Sequence, residues 1–136
     1  MKTDIEILRA AKPILINHNK GSAYNHDMTQ FCLGAAICRA EAESDDGCAH
    51  WSTRTNYLLQ LIYLVNKGYI DERLARPHLG PPDFLWRPSP AVRFNNHSAT
   101  TDDELQTILD NTISFLEELE RYSAPPTTQQ TELAHA

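Results

Sequence analysis

The segment from residue 101 to about residue 121 places the strongest constraint on how this 136-residue chain folds. Thr101-Asp102-Asp103-Glu104 has the spacing of a capping box, in which a hydroxyl and a carboxylate each satisfy an unpaired backbone N–H group. Mostly apolar side chains then recur every three or four residues, as on one face of a helix: Leu105, Ile108, Leu109, Thr112, Ile113, Leu116 and Leu119. The pattern predicts a long terminal helix.

Two helices are predicted near the amino terminus. The first opens with a capping box at Thr3 and Glu6 and is expected to continue past Pro13, where it should kink. The second is expected over residues 27–40 and consists mostly of small residues. Its Gly34 costs roughly 1 kcal/mol in a helix, and we expect it to let another element approach closely.

A third helix is predicted over residues 57–65, with Thr55 as its cap. It is the most apolar segment of the chain and should therefore be central and buried. Residues 69–74 are expected to add only a short turn.

The stretch from residue 77 to residue 90 contains five of the eight prolines, so it should not form a regular helix or a central strand. It is predicted to be an ordered loop that Phe84, Leu85 and Trp86 anchor onto the helices. Residues 92–94 are expected to form a short extended piece.

Length and composition fit one globular domain, with 41% hydrophobic and 22% charged residues. The predicted fold class is all-α, with four main helices packed as a compact single domain over residues 1–122 and a Pro-rich ordered loop. Residues 123–136 have too few apolar side chains to offset their ordering entropy and are predicted to be a flexible tail.

The charge distribution argues against direct nucleic-acid binding, because the 12 basic residues are scattered and are outnumbered by 18 acidic ones, for a net charge of -6. The longest uncharged apolar stretch is far shorter than the roughly 20 residues that span a bilayer. Three cysteines without a secretory signal indicate reduced thiols. These features predict a cytoplasmic protein.

Three motifs occur in order along the chain: Ile7-Leu8-Arg9-Ala10-Ala11, then Phe31-Cys32-Leu33-Gly34-Ala35-Ala36-Ile37, then Phe94-Asn95-Asn96 followed by Thr101, Glu104 and Leu105. In this order they resemble a family of small uncharacterised bacterial and phage helical domains, which carry a Cys-x-x-Gly-Ala-like helix and an aromatic-Asn-Asp segment before the last helix. Asn96 stands where that family tends to have Asp. The resemblance implies a compact helical fold and a microbial origin, and it assigns no catalytic residue.

Metal binding and thiol catalysis receive little support from the sequence. Cys48, His50, His78 and His97 are potential zinc ligands, but their spacings fit no standard zinc site. Nothing in the sequence brings a histidine to either cysteine of the second predicted helix. We therefore predict no metal, no cofactor and no catalytic residue.

Asn95, Asn96 and His97 precede the capped terminal helix and are candidates for a polar pocket, because amide and imidazole groups there form a modest anion or amide site. Phe84, Trp86 and Trp51 are candidates for an aromatic wall of that pocket. The alternatives are a turn that satisfies its own backbone and aromatic side chains that serve only as packing anchors.

The acidic pattern of the terminal helix is the most informative surface feature. Seven acidic residues and no basic residue lie between positions 102 and 120, and Asp103, Asp110 and Glu117 are spaced seven residues apart. They should share one face that points into water. Such a face is either simply solvated or steers the protein onto a basic partner.

The leading functional hypothesis is a non-enzymatic cytosolic protein that binds another protein with a basic surface. Its predicted contacts are Asp103, Asp110, Glu117, Glu118 and Trp86. In its most specific form it is an inhibitor, encoded by a phage or a mobile element, of a host nucleic-acid-handling or defence complex. The alternatives are a small enzyme or ligand-binding domain with its pocket at residues 95–97, and a structural homo-oligomer.

Overall fold

The structure is a computed structural model that describes residues 2–21, 29–42, 51–79 and 89–123. These ranges contain six α-helices, one 3-10 turn and no strand, so the all-α prediction is confirmed and the count of four main helices is wrong. The elements are α1 (Asp4–Ala11), a 3-10 turn (Lys12–Ile14), α2 (Leu33–Ala42), α3 (Thr53–Val65), α4 (Lys67–Leu74), α5 (Pro90–Asn96) and α6 (Asp102–Ser123). Residues 124–136 lie outside the described part of the chain, so the tail remains a prediction.

Helix α1 begins with the predicted capping box. The Thr3 hydroxyl accepts a 3.2 Å hydrogen bond from the N–H of Glu6, whose carboxylate accepts one from the N–H of Thr3. The α-helix ends at Ala11 and tightens into the 3-10 turn instead of continuing with a kink. Pro13 has no N–H to donate and its ring clashes with the carbonyl one turn back, so the α-helix stops before it.

Helix α2 begins at Leu33, and the described residues 29–32 before it are not helical, contrary to the predicted start at residue 27. Two contacts fix this start. The Cys32 thiol accepts a hydrogen bond from the N–H of Ala35, and the Asn95 side chain of α5 accepts one of 3.0 Å from the N–H of Leu33. The beginning of α2 is therefore capped from a distant part of the chain.

Helices α3 and α4 also differ from the prediction. Ser52 caps α3, because its hydroxyl accepts a 3.0 Å hydrogen bond from the N–H of Thr55. Thr55 itself is fully buried and donates to the Glu41 carboxylate. After Asn66 the chain forms the two-turn helix α4 where only a short turn was expected.

Helix α5 lies where the sequence predicted an extended piece. Pro90 occupies its first turn, where the missing proline N–H costs nothing and the fixed φ favours the helix. The expectation of no helix was thus wrong at the end of the Pro-rich stretch. Residues 80–88, including Phe84, Leu85 and Trp86, lie outside the described ranges, so the predicted loop is not tested.

The helices enclose one apolar core in the described part of the chain. Helix α1 packs on α2 and α6, α3 packs on α2, α5 and α6, and α5 packs on α2 and α4. The largest fully buried side chains are Phe94, Ile7, Leu8, Leu15, Leu33, Ile37, Leu58, Leu59, Ile62, Ile70, Leu105 and Ile108. No helix in these ranges is both long and apolar enough to cross a bilayer.

The close approach predicted at Gly34 is made by an aromatic ring. A Cβ atom at this position would lie only 2.5 Å from two carbons of the Trp51 indole. Trp51 therefore packs directly against the backbone of α2, and it serves as a packing anchor there. Any larger residue at position 34 would have to displace this ring.

Candidate functional site

The acidic side chains of α6 that were predicted to face water are partly engaged within the molecule. Asp110 lies 2.5 Å from the ammonium of Lys12, and Glu117 lies 3.1 Å from the guanidinium of Arg9. Both carboxylates remain about half exposed, so each pair contributes at most about 1 kcal/mol. Asp103 is exposed. Sequence reasoning did not foresee that Arg9 and Lys12 pair with two of the acidic residues of α6.

The positions of these ion pairs show the directions of the helices. They make α1 antiparallel to α6, and Arg54 at the start of α3 pairs with Asp4 at the start of α1. At the other end of α3, the Asn66 amide donates to the Ile108 carbonyl and the Thr112 hydroxyl of α6. Helix α3 therefore also runs antiparallel to α6, and its first turn lies toward the carboxyl end of α6.

An exposed apolar row on α6 was not predicted. Phe115, Leu119 and Tyr122 are 40%, 44% and 82% exposed, and they lie at the i, i+4 and i+7 positions of one helix face. Phe115 and Leu119 follow Ile108 and Thr112 by seven residues each, so the row extends the flank that contacts α3. Leu119 was predicted as part of the apolar helical repeat, and Phe115 and Tyr122 were not singled out although they share its spacing.

One exposed carboxylate, that of Glu118, borders this row, whereas that of Glu120 lies on another flank of α6. Glu118 and Glu120 are exposed, and within the described ranges neither forms an ion pair. Glu118 was a predicted contact residue and lies beside the row. Trp86, the other predicted contact outside the acidic series, belongs to a segment that the structure does not describe.

The predicted pocket residue Asn95 is fully buried and connects three parts of the fold. Its carbonyl oxygen accepts from the N–H of Leu33, and its amide donates to the Asn19 carbonyl at 2.9 Å and to the Asn96 side chain at 3.0 Å. The Asn96 oxygen also accepts from the N–H of Gly21. The amide groups of Asn95 and Asn96 are therefore engaged within the fold.

His97 is also buried and fully engaged. Its Nδ1 accepts a hydrogen bond from the N–H of Ala99, so Nε2 carries the proton and donates to the Arg76 carbonyl at 3.2 Å. The Lys20 ammonium donates to the carbonyls of His97 and Thr100, and desolvation by burial lowers the pKa of Lys20. Residues 95–97 thus close a turn around the loop after α1, and their side chains are hydrogen-bonded within the fold.

His18 in that same loop pairs with the start of α6. Asp102 accepts hydrogen bonds from the N–H groups of Asn17 and His18 and lies 2.5 Å from His18 Nδ1. Burial raises the pKa of Asp102, but the hydrogen bonds from His18 and Asn17 outweigh it and lower the pKa, so the carboxylate is ionised and accepts from Nδ1. The imidazole is 95% buried, since its exposed fraction is 5%, and among the described residues its Nε2 has no hydrogen-bond partner.

A buried ion pair joins α4 to α6. The Arg73 guanidinium, which is 7% exposed, donates to both carboxylate oxygens of Glu104 and to the Thr100 hydroxyl. The Tyr69 hydroxyl donates to the same carboxylate. The hydrogen bonds from Arg73 lower the pKa of Glu104 to about 2 despite the opposing effect of burial. Arg73 also lies over the Phe94 ring at 5.2 Å, and Tyr69 at the edge of the cluster is 42% exposed.

The cysteines differ in state. Cys32 is free and buried, and desolvation by burial raises the pKa of its thiol, as expected of an inert structural cysteine. Cys38 is disulfide-bonded, contrary to the expectation that the thiols are reduced. Cys48 and His50 lie outside the described residues. Within the described ranges no group of three potential ligands is positioned to hold a metal ion.

The fold and these clusters define a small all-α protein whose loops are held to its helices by buried polar groups and ion pairs. Residues 1–115 match the model of a family of unknown function (DUF6197), and the chain belongs to that family. No curated protein and no solved structure is significantly similar to the chain. The match agrees with the resemblance to an uncharacterised family, and it ends at the residue where the exposed row on α6 begins.

Proposed function

We propose that this protein is a non-enzymatic binding protein that contacts another protein through the carboxyl-terminal half of α6. The exposed row of Phe115, Leu119 and Tyr122 carries the proposal. Aromatic and large apolar side chains that lie exposed on one face are the groups that provide most of the binding energy in protein interfaces. Glu118, which lies beside the row, is one of the acidic residues that were predicted from the sequence to contact the partner.

The ion pairs of α6 with α1 change which acidic residues take part. Asp110 and Glu117 already have partners in Lys12 and Arg9, so a binding partner would have to displace those bases. Glu118 carries no such cost, because it forms no ion pair within the described ranges. We therefore place the contact on the row and Glu118 beside it, and Asp103 at the other end of α6 becomes a peripheral residue.

The surface lies at the end of the segment that matches the family model. The family match ends at residue 115, so Leu119 and Tyr122 lie beyond it. We accordingly propose the partner for this chain and not for the family. The finer form of the proposal is an inhibitor encoded by a phage or a mobile element, which acts on a basic nucleic-acid-handling or defence complex of the host.

A photo-crosslinking experiment in the native host tests this proposal. Leu119 is replaced by p-benzoylphenylalanine, and proteins crosslinked after irradiation are identified by mass spectrometry. The same replacement at Ile16, an exposed apolar residue of the loop after α1, is the matched control. The identified partner is then purified, and its affinity is measured by titration calorimetry for the wild type and for a Phe115→Ser/Leu119→Ser/Tyr122→Ser variant.

We expect a crosslink to the partner from position 119 and none from position 16. The triple serine variant should bind it at least about tenfold more weakly, because interface anchors often contribute more than 1 kcal/mol each. Ile16→Ser should leave the affinity unchanged, and all variants should keep the wild-type circular dichroism spectrum. Identical crosslinks at both positions, or an unchanged affinity of the triple variant, would contradict the proposal.

His18 favours a second candidate function, a small ligand-binding domain. Buried polar nitrogens are nearly always hydrogen-bonded, and no described residue pairs with Nε2, so this nitrogen is a candidate acceptor for a ligand N–H or O–H group. A His18→Asn variant keeps a donor near the position of Nδ1 and removes Nε2. At a ligand concentration 100 times Kd, binding stabilises the wild type by about 2.7 kcal/mol. A metabolite-library thermal shift seen in the wild type and lost in His18→Asn supports this function, whereas equal shifts would exclude a role for Nε2.

A further inference from the structure

Two histidine rings support the turn between α5 and α6 (residues 97–101). Nδ1 of His78 accepts a 3.1 Å hydrogen bond from the N–H of Ser98, and Nδ1 of His97 accepts one of 3.1 Å from the N–H of Ala99. An imidazole nitrogen accepts a hydrogen bond only while it carries no proton. Two successive N–H groups of the turn are therefore satisfied by rings that must lack the proton at Nδ1.

These rings also connect the turn to the segment that follows α4. Nε2 of His97 donates to the Arg76 carbonyl at 3.2 Å, and the N–H of Leu79 donates to the Ser98 hydroxyl at 2.9 Å. His78 belongs to the same segment. The contact between the segment and the turn thus depends on the protonation state of two imidazoles.

Protonation at Nδ1 would break this arrangement. A proton on Nδ1 of His97 would face the N–H of Ala99 and lack an acceptor, and this residue is only 4% exposed, so water reaches the ring only when the turn opens. A proton on Nδ1 of His78 would face the N–H of Ser98 in the same way. The ring centroids are 5.3 Å apart, so two imidazolium charges would also repel each other.

Other cations at the turn act in the same direction. The Lys20 ammonium donates to the carbonyls of His97 and Thr100 at 2.6 and 2.9 Å. The Arg73 guanidinium donates to the Thr100 hydroxyl at 2.9 Å. A further positive charge at this turn is therefore unfavourable.

The carboxylates of the neighbouring elements have other partners. Asp102 accepts from His18, Glu104 is held in the buried ion pair with α4, and Glu72 pairs with the Arg76 guanidinium. Despite burial, hydrogen bonds lower the pKa of Asp102, and hydrogen bonds also lower the pKa of Glu104 to about 2. Both carboxyl groups therefore stay ionised above about pH 5, in the range where histidine side chains ordinarily change charge. Mild acid leaves these two carboxylates unchanged.

We propose that the contact between residues 76–79 and the turn before α6 is a pH-sensitive switch, which is closed at neutral pH and opens between about pH 7 and pH 5 as His78 and His97 gain protons. The sign follows from the hydrogen bonds, because the neutral rings accept at Nδ1 and the protonated rings do not. The open form therefore binds more protons and is favoured by acid. His18 differs, since its Nδ1 donates to Asp102 and a proton added at Nε2 removes no hydrogen bond within the described residues.

NMR spectroscopy of the full chain between about pH 7.5 and pH 5 tests the inference. The N–H of Thr100 donates to the His97 carbonyl within the turn, so its hydrogen exchange reports opening. The rate is corrected for intrinsic exchange and divided by that of Ile108, a core amide of α6. The 15N resonances of the ring nitrogens give the protonation midpoint of each histidine. The heteronuclear NOE of Leu79 reports the mobility of the segment after α4.

Two variants separate the switch from a general effect of acid. His78→Asn/His97→Asn removes both titrating rings and keeps a side-chain oxygen that accepts near the position of each Nδ1. His18→Asn is the matched control, because it removes a histidine of the same region whose Nδ1 donates to Asp102.

In the wild type, the relative exchange rate of Thr100 should rise at least about tenfold from pH 7.5 to pH 5, and the NOE of Leu79 should fall, both with the midpoint of the His78 or His97 ring. The rise should be less than about twofold in the double Asn variant and equal to that of the wild type in His18→Asn. An unchanged ratio in the wild type, a midpoint that matches neither ring, or an equal rise in the double Asn variant would overturn the inference. The midpoints in the wild type decide the matter even if the double variant does not fold.

Discussion

Replacing Glu104 with Gln should lower the free energy of unfolding by about 3 kcal/mol, because it removes the only carboxylate that pairs with the buried Arg73 within the described residues. The guanidinium would stay buried with its charge uncompensated, and Tyr69 would lose the anionic acceptor of its hydroxyl. Urea unfolding followed by circular dichroism at pH 7 measures the loss. Glu118→Gln on the same helix is the matched control and should change stability by less than about 0.5 kcal/mol.

The same carboxylate predicts how the wild type responds to acid. Its pKa is about 2 in the folded protein, against an ordinary value of 4.5. A lowered folded-state pKa gives a stabilisation that is complete above the unfolded-state value and is lost as the pH falls from about 5 toward 2, for a total of about 3 kcal/mol. Glu104→Gln should lack this part of the acid dependence. An unchanged acid profile in Glu104→Gln, or a variant as stable as the wild type, would contradict the role given to this ion pair.

Replacing Asn95 with Leu should destabilise the protein by about 3 kcal/mol. The substitution keeps the size of the side chain but leaves the N–H of Leu33 and the carbonyl of Asn19 without their partner, and each buried unsatisfied group costs about 1–3 kcal/mol. The measurement is again urea unfolding. Asn56→Leu is the matched control, because Asn56 is exposed and its amide donates only to the backbone of its own helix.

Hydrogen exchange gives a second readout for Asn95→Leu that does not depend on global stability. The N–H of Leu33 loses its acceptor and should exchange faster relative to the core amides of α6. Asn56→Leu should leave that ratio unchanged. If Asn95→Leu is as stable as the wild type and protects the N–H of Leu33 equally, Asn95 does not cap α2.

The elements that could be predicted from the sequence are those whose ends are set locally. The capping boxes at Thr3 and Thr101 use residues three positions apart, so the starts of α1 and α6 can be recognised from a short local sequence. The start of α2 is set by Asn95, 62 positions away, and no local pattern announces it. Helix α5 was not predicted, because proline disfavours a helix at every position except the first turn, where Pro90 lies.

The candidate site was predictable in part for a similar reason. Spacing along α6 correctly placed Asp103, Asp110 and Glu117 on a common side, but it could not say that α1 covers that side with Arg9 and Lys12. The row of Phe115, Leu119 and Tyr122 has helical spacing too, yet periodicity alone does not tell a buried face from an exposed one. The engagement of Asn95 and His97 required the loop after α1, which lies next to them only in three dimensions.

The hydrogen bonds between residues 17–21 and residues 95–102 affect how the chain folds during its synthesis. Its hydrogen bonds join positions 75–85 residues apart, which is a long separation for a helical protein. Contacts of this kind slow folding relative to bundles whose neighbours are adjacent in sequence. When only α1, α2 and α3 have emerged from the ribosome, residues 17–21 of the nascent chain therefore still lack the later residues to which they hydrogen-bond.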